Sequence, residues 1–165
     1  MLSHRIVTPV GTLLPTWTER GLYSCEFTHE SMPRAASPDL LGPEQHRLTE
    51  AIAKYFRSGM INWDLRTIDW SEVSNFQREA LELCFKIPSG HTMSYGQVAV
   101  NLSNPNAARA VGRAMAQNRW PILIPCHRVV GSNGRLTGYS GAGGLDTKRQ
   151  LLEQEKAWAG ELLFP

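Results

Sequence analysis

A cysteine and a histidine stand side by side at Cys126-His127, directly after Pro125. The thiolate of cysteine is a strong nucleophile, and a neighbouring imidazole can accept the thiol proton. The apolar run at residues 121–124 predicts a buried strand that ends at Pro125, because proline cannot donate to a sheet ladder. This placement favours nucleophilic chemistry at Cys126. The plain alternative is a small apolar side chain buried in a core.

The composition limits the classes of protein that this chain can represent. Its 165 residues suit one domain or two small ones, and its formal net charge of +2 permits nucleic-acid binding without requiring it. Three cysteines do not form a disulfide framework, which favours a reducing compartment. No apolar run is long enough to span a bilayer, and the N-terminus lacks a signal-peptide core. We therefore expect a cytoplasmic protein, nucleoid-associated in a prokaryote or nuclear in a eukaryote.

Residues 1–70 predict an α/β domain made of a small antiparallel sheet and a helix. Two short apolar segments within residues 6–14 flank a turn and indicate a hairpin, and residues 22–27 indicate a further strand. From residue 44 to residue 56 the apolar positions recur at helical spacing, and Gly59 is a plausible stop.

Residues 71–165 predict a mainly helical domain that carries the Cys126 loop. Ser74 can cap a first helix, Thr92 or Ser94 opens a short second helix, and a third helix follows Asn104-Pro105. Two short helices joined by a tight turn are typical of a helix-turn-helix, which docks on DNA. A plain helical hairpin has the same pattern and stays open.

The third helix carries alanine and glycine on the face where a solvated helix normally carries long polar side chains. Arg109 and Arg113 rise from this face. Small residues let a helix approach a partner closely, and an arginine on such a surface could enter a DNA groove or fill a base stack. The alternative is close helix–helix packing with two solvated arginines.

Several segments together closely resemble the O6-alkylguanine-DNA alkyltransferases. They are Ser94-Tyr95-Gly96, Ala108-Arg109-Ala110-Val111-Gly112, Asn118, Ile124-Pro125-Cys126-His127-Arg128-Val129, Gly138-Tyr139-Ser140-Gly141 and Lys148-Arg149-Gln150-Leu151-Leu152. The match is continuous from about residue 76 to residue 155 and is weaker at residues 8–11. The resemblance implies irreversible transfer of an alkyl group from O6-alkylguanine in double-stranded DNA to Cys126. It also implies a monomer without a cofactor, and leaves open whether O4-alkylthymine is accepted.

The resemblance assigns the nucleophile and its base. Cys126 would lose its proton through a water to His127, which would be oriented by Glu155. Without the resemblance, His127 could equally be structural, because adjacent side chains on an extended chain point in opposite directions. Glu153 lies on a different face of the final helix, and Glu155 is chosen because it matches the family's pattern.

Other residues take their expected roles from the same resemblance. Tyr95 would help to turn the nucleotide out of the duplex and would protonate the leaving guanine, although by itself it could be an ordinary half-buried tyrosine. Asn118 would brace the turn before Cys126, and Arg109 would fill the vacated base stack. The guanine pocket would include Val129, Tyr139 and Ser140. The surface around Arg109 would include Ala107, Ala108, Ala110, Gly112 and Arg113.

The chain departs from its relatives at a few positions. Ala142-Gly143 resembles a small insertion, and Trp120 could either pack against the N-terminal domain or narrow the pocket. Some relatives carry zinc in the N-terminal domain. Cys25 and His29 are not part of a set of four ligands, so we expect no metal. Cys84 falls on the apolar side of its helix and is expected to be inert.

Three other functions are compatible with parts of the pattern. An alkyltransferase-like damage sensor would bind the lesion without reacting, but such proteins generally lack the cysteine. An alkylation-responsive regulator would need a further DNA-binding and methyl-accepting module, for which the N-terminal stretch has neither the cysteines nor the basic charge. A cysteine hydrolase would need an oxyanion hole, which the sequence does not reveal.

Overall fold

The computed structural model describes residues 4–28, 41–138 and 143–159. The strands are β1 (Ile6–Thr8), β2 (Gly11–Thr18), β3 (Gly21–Thr28), β4 (Met93–Ser94) and β5 (Val129–Val130). The helices are α1 (Pro43–Ser58), α2 (Asn75–Phe85), α3 (Tyr95–Asn101), α4 (Ala108–Ala116) and α5 (Leu145–Ala159). Short 3-10 helices cover Leu65–Thr67, Cys126–Arg128 and Ser132–Gly134. The predicted order, a small sheet with a helix followed by a mainly helical region, is confirmed, whereas the boundary at residue 70 stays a prediction.

The first three strands form an antiparallel sheet in the order β1-β2-β3, with Leu13 paired to Ile6 on one side and to Phe27 on the other. α1 packs near β1 and buries a stripe of apolar side chains at helical spacing. α1 ends at Gly59, which has a left-handed backbone with φ 71° and donates its N–H to the Tyr55 carbonyl. The hairpin, the third strand and the end of α1 therefore lie where the pattern predicted them.

α3 and α4 form the helical pair in the C-terminal region. The Ser94 side chain accepts from the Gln97 amide, and the Gln97 side chain accepts from the Ser94 amide, which forms a capping box at the start of α3. α4 packs against both α2 and α3 across the connection at residues 102–107. This is the arrangement that a helix-turn-helix requires.

The apolar run before Cys126 forms a buried turn, and the predicted strand at residues 121–124 is wrong. Ile122 has φ 72°, and the Ile124 amide donates to the Trp120 carbonyl at 2.8 Å. Four apolar residues in a row indicate burial but do not distinguish a strand from a turn. Because Cys126–Arg128 is a 3-10 helix, the alternation of side chains on an extended chain does not apply to Cys126 and His127.

A two-residue parallel ladder joins β4 to β5, pairing Met93 with Val129 and Ser94 with Val130. It holds the start of α3 beside the chain that leaves the Cys126 helix. The sequence did not predict this ladder, since two residues are too few to show the period of a strand.

Trp120 connects the C-terminal region to the first sheet. Its ring lies 5.1 Å from that of Trp70, and its Nε1 donates to the Leu22 carbonyl at 3.0 Å. Next to it, the Cys25 amide donates to the Arg119 carbonyl at 2.7 Å. Trp120 therefore packs against the N-terminal sheet, which is the first of its two predicted alternatives.

Candidate active site

The Asn118 side chain fixes the turn that leads from α4 to Cys126. Its Nδ2 donates to the Ile124 carbonyl at 2.9 Å, and its Oδ1 accepts the Trp120 amide at 3.0 Å. Both ends of a buried amide group are thereby used within one turn. The Cys126 amide also donates to the Ile124 carbonyl, at 2.8 Å, so Cys126 starts its 3-10 helix in a fixed orientation.

Cys126 is 5% exposed, and its surroundings act on the thiol in both directions. Burial raises the pKa of the Cys126 thiol above its ordinary value. A hydrogen bond from Asn118, the charge of Lys148 and the backbone amides of Cys126 and His127 oppose this rise. The resting group is therefore a thiol at neutral pH, and the site already contains groups that would stabilise a thiolate once a base removes the proton.

The imidazole of His127 is fully buried, and its Nε2 lies 2.6 Å from Glu155 Oε1. Burial lowers the pKa of His127, and the charge and hydrogen bond of Glu155 oppose that effect without cancelling it, so the ring is neutral at neutral pH. Since an ionised carboxylate only accepts hydrogen bonds, Nε2 carries the proton. Nδ1 makes no hydrogen bond to any residue in the described part of the chain, which leaves its lone pair available as a base.

Arg128 completes the charge network on the other side of Glu155. Its Nε lies 3.0 Å from Glu155 Oε2, its Nη2 lies 2.9 Å from Oε1, and its Nη1 donates to the Ile87 carbonyl at 2.6 Å. Burial alone would raise the pKa of Glu155, but His127 and then Arg128 outweigh it and lower the pKa to about 2. Glu155 is buried in this network, whereas Glu153, the alternative considered from sequence, is exposed.

Tyr95 and Lys148 form a second polar cluster beside Val129. Lys148 Nζ donates to the carbonyls of Val129 at 2.7 Å and Thr137 at 3.0 Å, and lies 3.5 Å from the Tyr95 hydroxyl. The Tyr95 hydroxyl itself donates to the Thr137 carbonyl at 3.0 Å. Burial lowers the pKa of Lys148 to about 8, against the opposing effect of Cys126. Lys148 is thus mostly protonated at neutral pH, and its charge acts on the Cys126 thiol.

The surface predicted to meet DNA lies on α4 and at its start. It comprises Ala107, Ala108, Arg109, Ala110, Gly112 and Arg113. Arg109 and Arg113 are exposed, as the prediction requires. Ala107 is only 8% exposed and belongs to the apolar core, and Gly112 lies against the Tyr95 ring. Arg109 and Arg113 therefore form the exposed part of the predicted surface, and Ala108, Ala110 and Gly112 are half-buried between and beside them.

Some predictions fall on residues that the structure does not describe. Tyr139 and Ser140 of the expected guanine pocket, Ala142 of the expected insertion and His29 lie outside the described residues. Over residues 4–28, 41–138 and 143–159, no group of three or more His, Cys, Asp or Glu side chains could hold a metal ion. No helix in the same ranges is long and apolar enough to cross a membrane.

Residues 75–157 match the sequence model of a family described as 6-O-methylguanine DNA methyltransferase, DNA binding domain. The methylated-DNA–protein-cysteine methyltransferase of Methanosarcina acetivorans is 36% identical over 151 residues, covering 90% of this chain and 94% of that protein. The protein of the same name from Salmonella typhimurium is 35% identical, covering 94% of this chain and 95% of its own. The chain belongs to the methylated-DNA–protein-cysteine methyltransferase family.

The crystal structure of Mycobacterium tuberculosis OGT in complex with DNA has the same fold as this methyltransferase. The two superimpose with a TM-score of 0.78 at 32% sequence identity, covering 96% of this chain and 94% of the other. The similarity spans both the N-terminal sheet and the helical region, so it extends beyond the residues that the family's DNA-binding domain matches.

Three buried residues of this methyltransferase's site were missed from sequence: Tyr55, Arg128 and Lys148. Each is fully or almost fully buried and contacts a predicted site residue. A usable signal was present on α5, where Lys148, Leu151, Leu152 and Glu155 follow the i, i+3, i+4, i+7 spacing of one buried face. Charged residues on an apolar stripe indicate a buried polar network, because they are rarely buried without partners.

Proposed function

We propose that this protein repairs alkylated DNA by direct reversal, transferring the alkyl group of O6-alkylguanine irreversibly to Cys126. Membership of the methylated-DNA–protein-cysteine methyltransferase family supports the reaction class, and the names of the relatives specify a cysteine of the protein as acceptor. The assignment to Cys126 rests on a buried series of side chains, Cys126, His127 and Glu155, that starts with this thiol. His127 follows it directly and hydrogen-bonds to Glu155 at 2.6 Å.

The reaction begins with removal of the thiol proton. The lone pair on His127 Nδ1 takes this proton through a bridging water, and Glu155 stabilises the imidazolium that results. The Cys126 thiolate then attacks the sp³ carbon on O6 from the side opposite the oxygen. A sulfur–carbon bond forms, the carbon–oxygen bond breaks, and its electron pair goes to the guanine.

The leaving guanine needs a proton to avoid becoming an anion. Tyr95 donates it, exchanging its hydrogen bond to the Thr137 carbonyl for one to the base. The proton held by His127 then returns to Tyr95 through solvent. In the balance, the alkyl group replaces the proton on sulfur, and that proton ends on the guanine. The thioether offers no good leaving group, so each protein molecule reacts once. None of the proposed steps requires a cofactor or a metal.

Recognition requires the nucleotide to leave the helix, since the target carbon is inaccessible within a duplex. We assign Arg109 to the vacated stack, with Arg113 and the small residues of α4 against the minor groove. The Val129 carbonyl, Tyr139 and Ser140 form the pocket for the flipped guanine. We further propose that the protein acts as a monomer in the cytoplasm or at the nucleoid, or in the nucleus of a eukaryote.

The test is intact-protein mass spectrometry after incubation with a duplex that contains one O6-methylguanine, followed by peptide mapping. The expected product carries one added CH₂ on the peptide that contains Cys126, and Cys126→Ala forms no adduct but still binds the damaged duplex. Cys84→Ala is the matched control, because Cys84 is another buried cysteine with a raised thiol pKa.

Two other results would contradict the proposal. Binding of the lesion without any adduct would identify a damage sensor of the alkyltransferase-like class. An adduct that persists in Cys126→Ala would mean that another residue is the acceptor and that the site is wrongly assigned.

A further inference from the structure

Tyr55 lies in the last turn of α1, yet its hydroxyl reaches the His127–Glu155 pair of the C-terminal region. The side chain is fully buried. Its hydroxyl donates to Glu155 Oε1 at 2.7 Å and lies 3.4 Å from His127 Nε2, and the two rings meet edge-on with centroids 6.3 Å apart. A buried phenol hydroxyl requires a hydrogen-bond partner, and this one shares the carboxylate oxygen that His127 uses.

The backbone and the neighbouring side chains hold Tyr55 in this place. The Gly59 amide donates to the Tyr55 carbonyl at 2.7 Å, and the Phe56 ring packs edge-on to the Tyr55 ring at 5.1 Å. Gln154, the neighbour of Glu155 on α5, has its Nε2 3.4 Å from the Phe56 carbonyl. The end of α1 is therefore attached to α5 at the level of Glu155.

From these contacts we propose that Tyr55 is a positioning residue for alkyl transfer, through which α1 of the N-terminal half sets the basicity of His127. The proposal rests on the proposed function, in which His127 is the base. Glu155 Oε1 accepts from His127, Tyr55 and Arg128. Each added donor takes up part of the negative charge on that oxygen, so Glu155 stabilises an imidazolium less when Tyr55 donates to it.

Removing the Tyr55 hydroxyl leaves a more basic carboxylate beside His127. The imidazole would then be protonated up to a higher pH, and a protonated imidazole cannot accept the proton of Cys126. The acidic side of the pH–rate profile should therefore move to higher pH. A residue that only fills space in the core would change the stability of the protein and leave this profile in place.

His127 is the group whose protonation the proposal invokes. The titratable and charged groups around it are Tyr55 of α1, Cys84 of α2, Lys148 and Glu155 of α5, and Cys126 and Arg128 of its own segment. Cys84 belongs to this group because it interacts with Cys126 and Arg128. The carboxyl has a pKa of about 2 and the lysine one of about 8, and burial raises the pKa of both thiols. The carboxyl and both thiols therefore keep their charge between about pH 5 and pH 7, and the lysine begins to lose its proton only near the top of that range.

The experiment compares Tyr55→Phe with Tyr23→Phe in the full chain. Tyr23 also donates its hydroxyl to a carboxylate, that of Glu72 at 2.5 Å, but it lies on the surface. Single-turnover transfer from an O6-methylguanine duplex is measured from about pH 5 to about pH 9, and the His127 imidazole is titrated by NMR. We expect Tyr55→Phe to raise the acidic midpoint and the His127 pKa by about 0.5 to 1 pH unit.

Well below the midpoint this shift corresponds to a rate constant that falls about three- to tenfold, and near pH 8.5, above the midpoint, the rate constant should stay within about twofold of the wild type. Tyr23→Phe should follow the wild type throughout. An unchanged midpoint and an unchanged His127 pKa in Tyr55→Phe would overturn the proposal, even if the variant were slower or less stable.

Two further measurements distinguish failure of this proposal from failure of the proposed function and from failure of the variant to fold. If the wild type transfers no methyl group, the proposed function fails, and the NMR titration still decides whether Tyr55 controls His127. If Tyr55→Phe does not fold, 3-fluorotyrosine at position 55 replaces it. This stronger donor should lower the midpoint, and a midpoint that stays in place or rises would refute the role of Tyr55.

Discussion

The substitution Glu155→Gln tests whether Glu155 contributes more to stability than the carboxylate of an ordinary ion pair on the surface. The substitution keeps the size of the side chain and removes its charge. Arg128, only 3% exposed, would then lose the carboxylate that lies 2.9 to 3.0 Å from its Nη2 and Nε atoms. Removing one partner of a buried ion pair leaves an uncompensated charge and costs about 3 to 5 kcal/mol of folding free energy.

The pKa of Glu155 gives a second measure of the same quantity. It falls from an ordinary value of 4.5 to about 2 in the folded protein, which at about 1.4 kcal/mol per pH unit corresponds to roughly 3 kcal/mol. Because the folded pKa is depressed, this stability is fully present above about pH 4.5 and is lost as the pH falls through about 2. Near pH 3 about half of it remains.

Urea unfolding of the wild type and Glu155→Gln at about pH 7 and about pH 3 tests both magnitudes. The matched control is Glu82→Gln, since Glu82 pairs with Arg78 at 2.8 Å but both side chains are exposed. The control should cost about 0.5 kcal/mol or less at either pH. If Glu155→Gln costs no more than the control, or if its cost does not shrink at low pH, Glu155 is not an ionised member of a buried network.

Two further substitutions test the sheet and the DNA surface. Gly21→Ala should lower the free energy of unfolding in urea by on the order of 2 to 3 kcal/mol. Gly21 has φ 137°, and an added Cβ would lie 2.1 Å from the Thr67 carbonyl oxygen. Gly144→Ala is the control and should cost less, because Gly144 has a positive φ but open space around it. Arg109→Ala should slow repair in a duplex about tenfold or more and leave attack on free O6-alkylguanine nearly unchanged, as followed by single-turnover kinetics. Equal losses on both substrates would remove the base-flipping role.

Elements with a repeating pattern could be predicted from the sequence. The first three strands, α1 with its stop at Gly59 and α2 with its Ser74 cap all show apolar periodicity or end signals within a few residues. The turn at residues 121–124 and the two-residue ladder of β4 and β5 do not. Their conformations are set by contacts with distant residues, such as the bonds that Asn118 makes, and composition alone does not report those contacts.

The candidate site likewise contains residues that the sequence identified and residues that it did not. Cys126 and His127 are neighbours in the chain, and the sequence motif identified both. Arg128 stands beside them, but its contact with Glu155 was not predicted. Tyr55 looked like one more apolar position of an amphipathic helix, since its hydroxyl has a role only when α1 meets α5. Its contact with Glu155 joins residues that are 100 positions apart, which no local pattern can reveal.

The two buried charges on α5 also constrain how this helix can pack. Lys148 and Glu155 lie two turns apart on one face, and each would be costly to bury without its present partners. Lys148 bonds to carbonyls beside the proposed pocket, and Glu155 bonds to Arg128 and His127. A slide or rotation of α5 by one residue would strip both charges of their partners at once. We infer that the pair fixes the register of α5 against the Cys126 segment, so the charges that burial makes expensive also keep the base and the nucleophile in place.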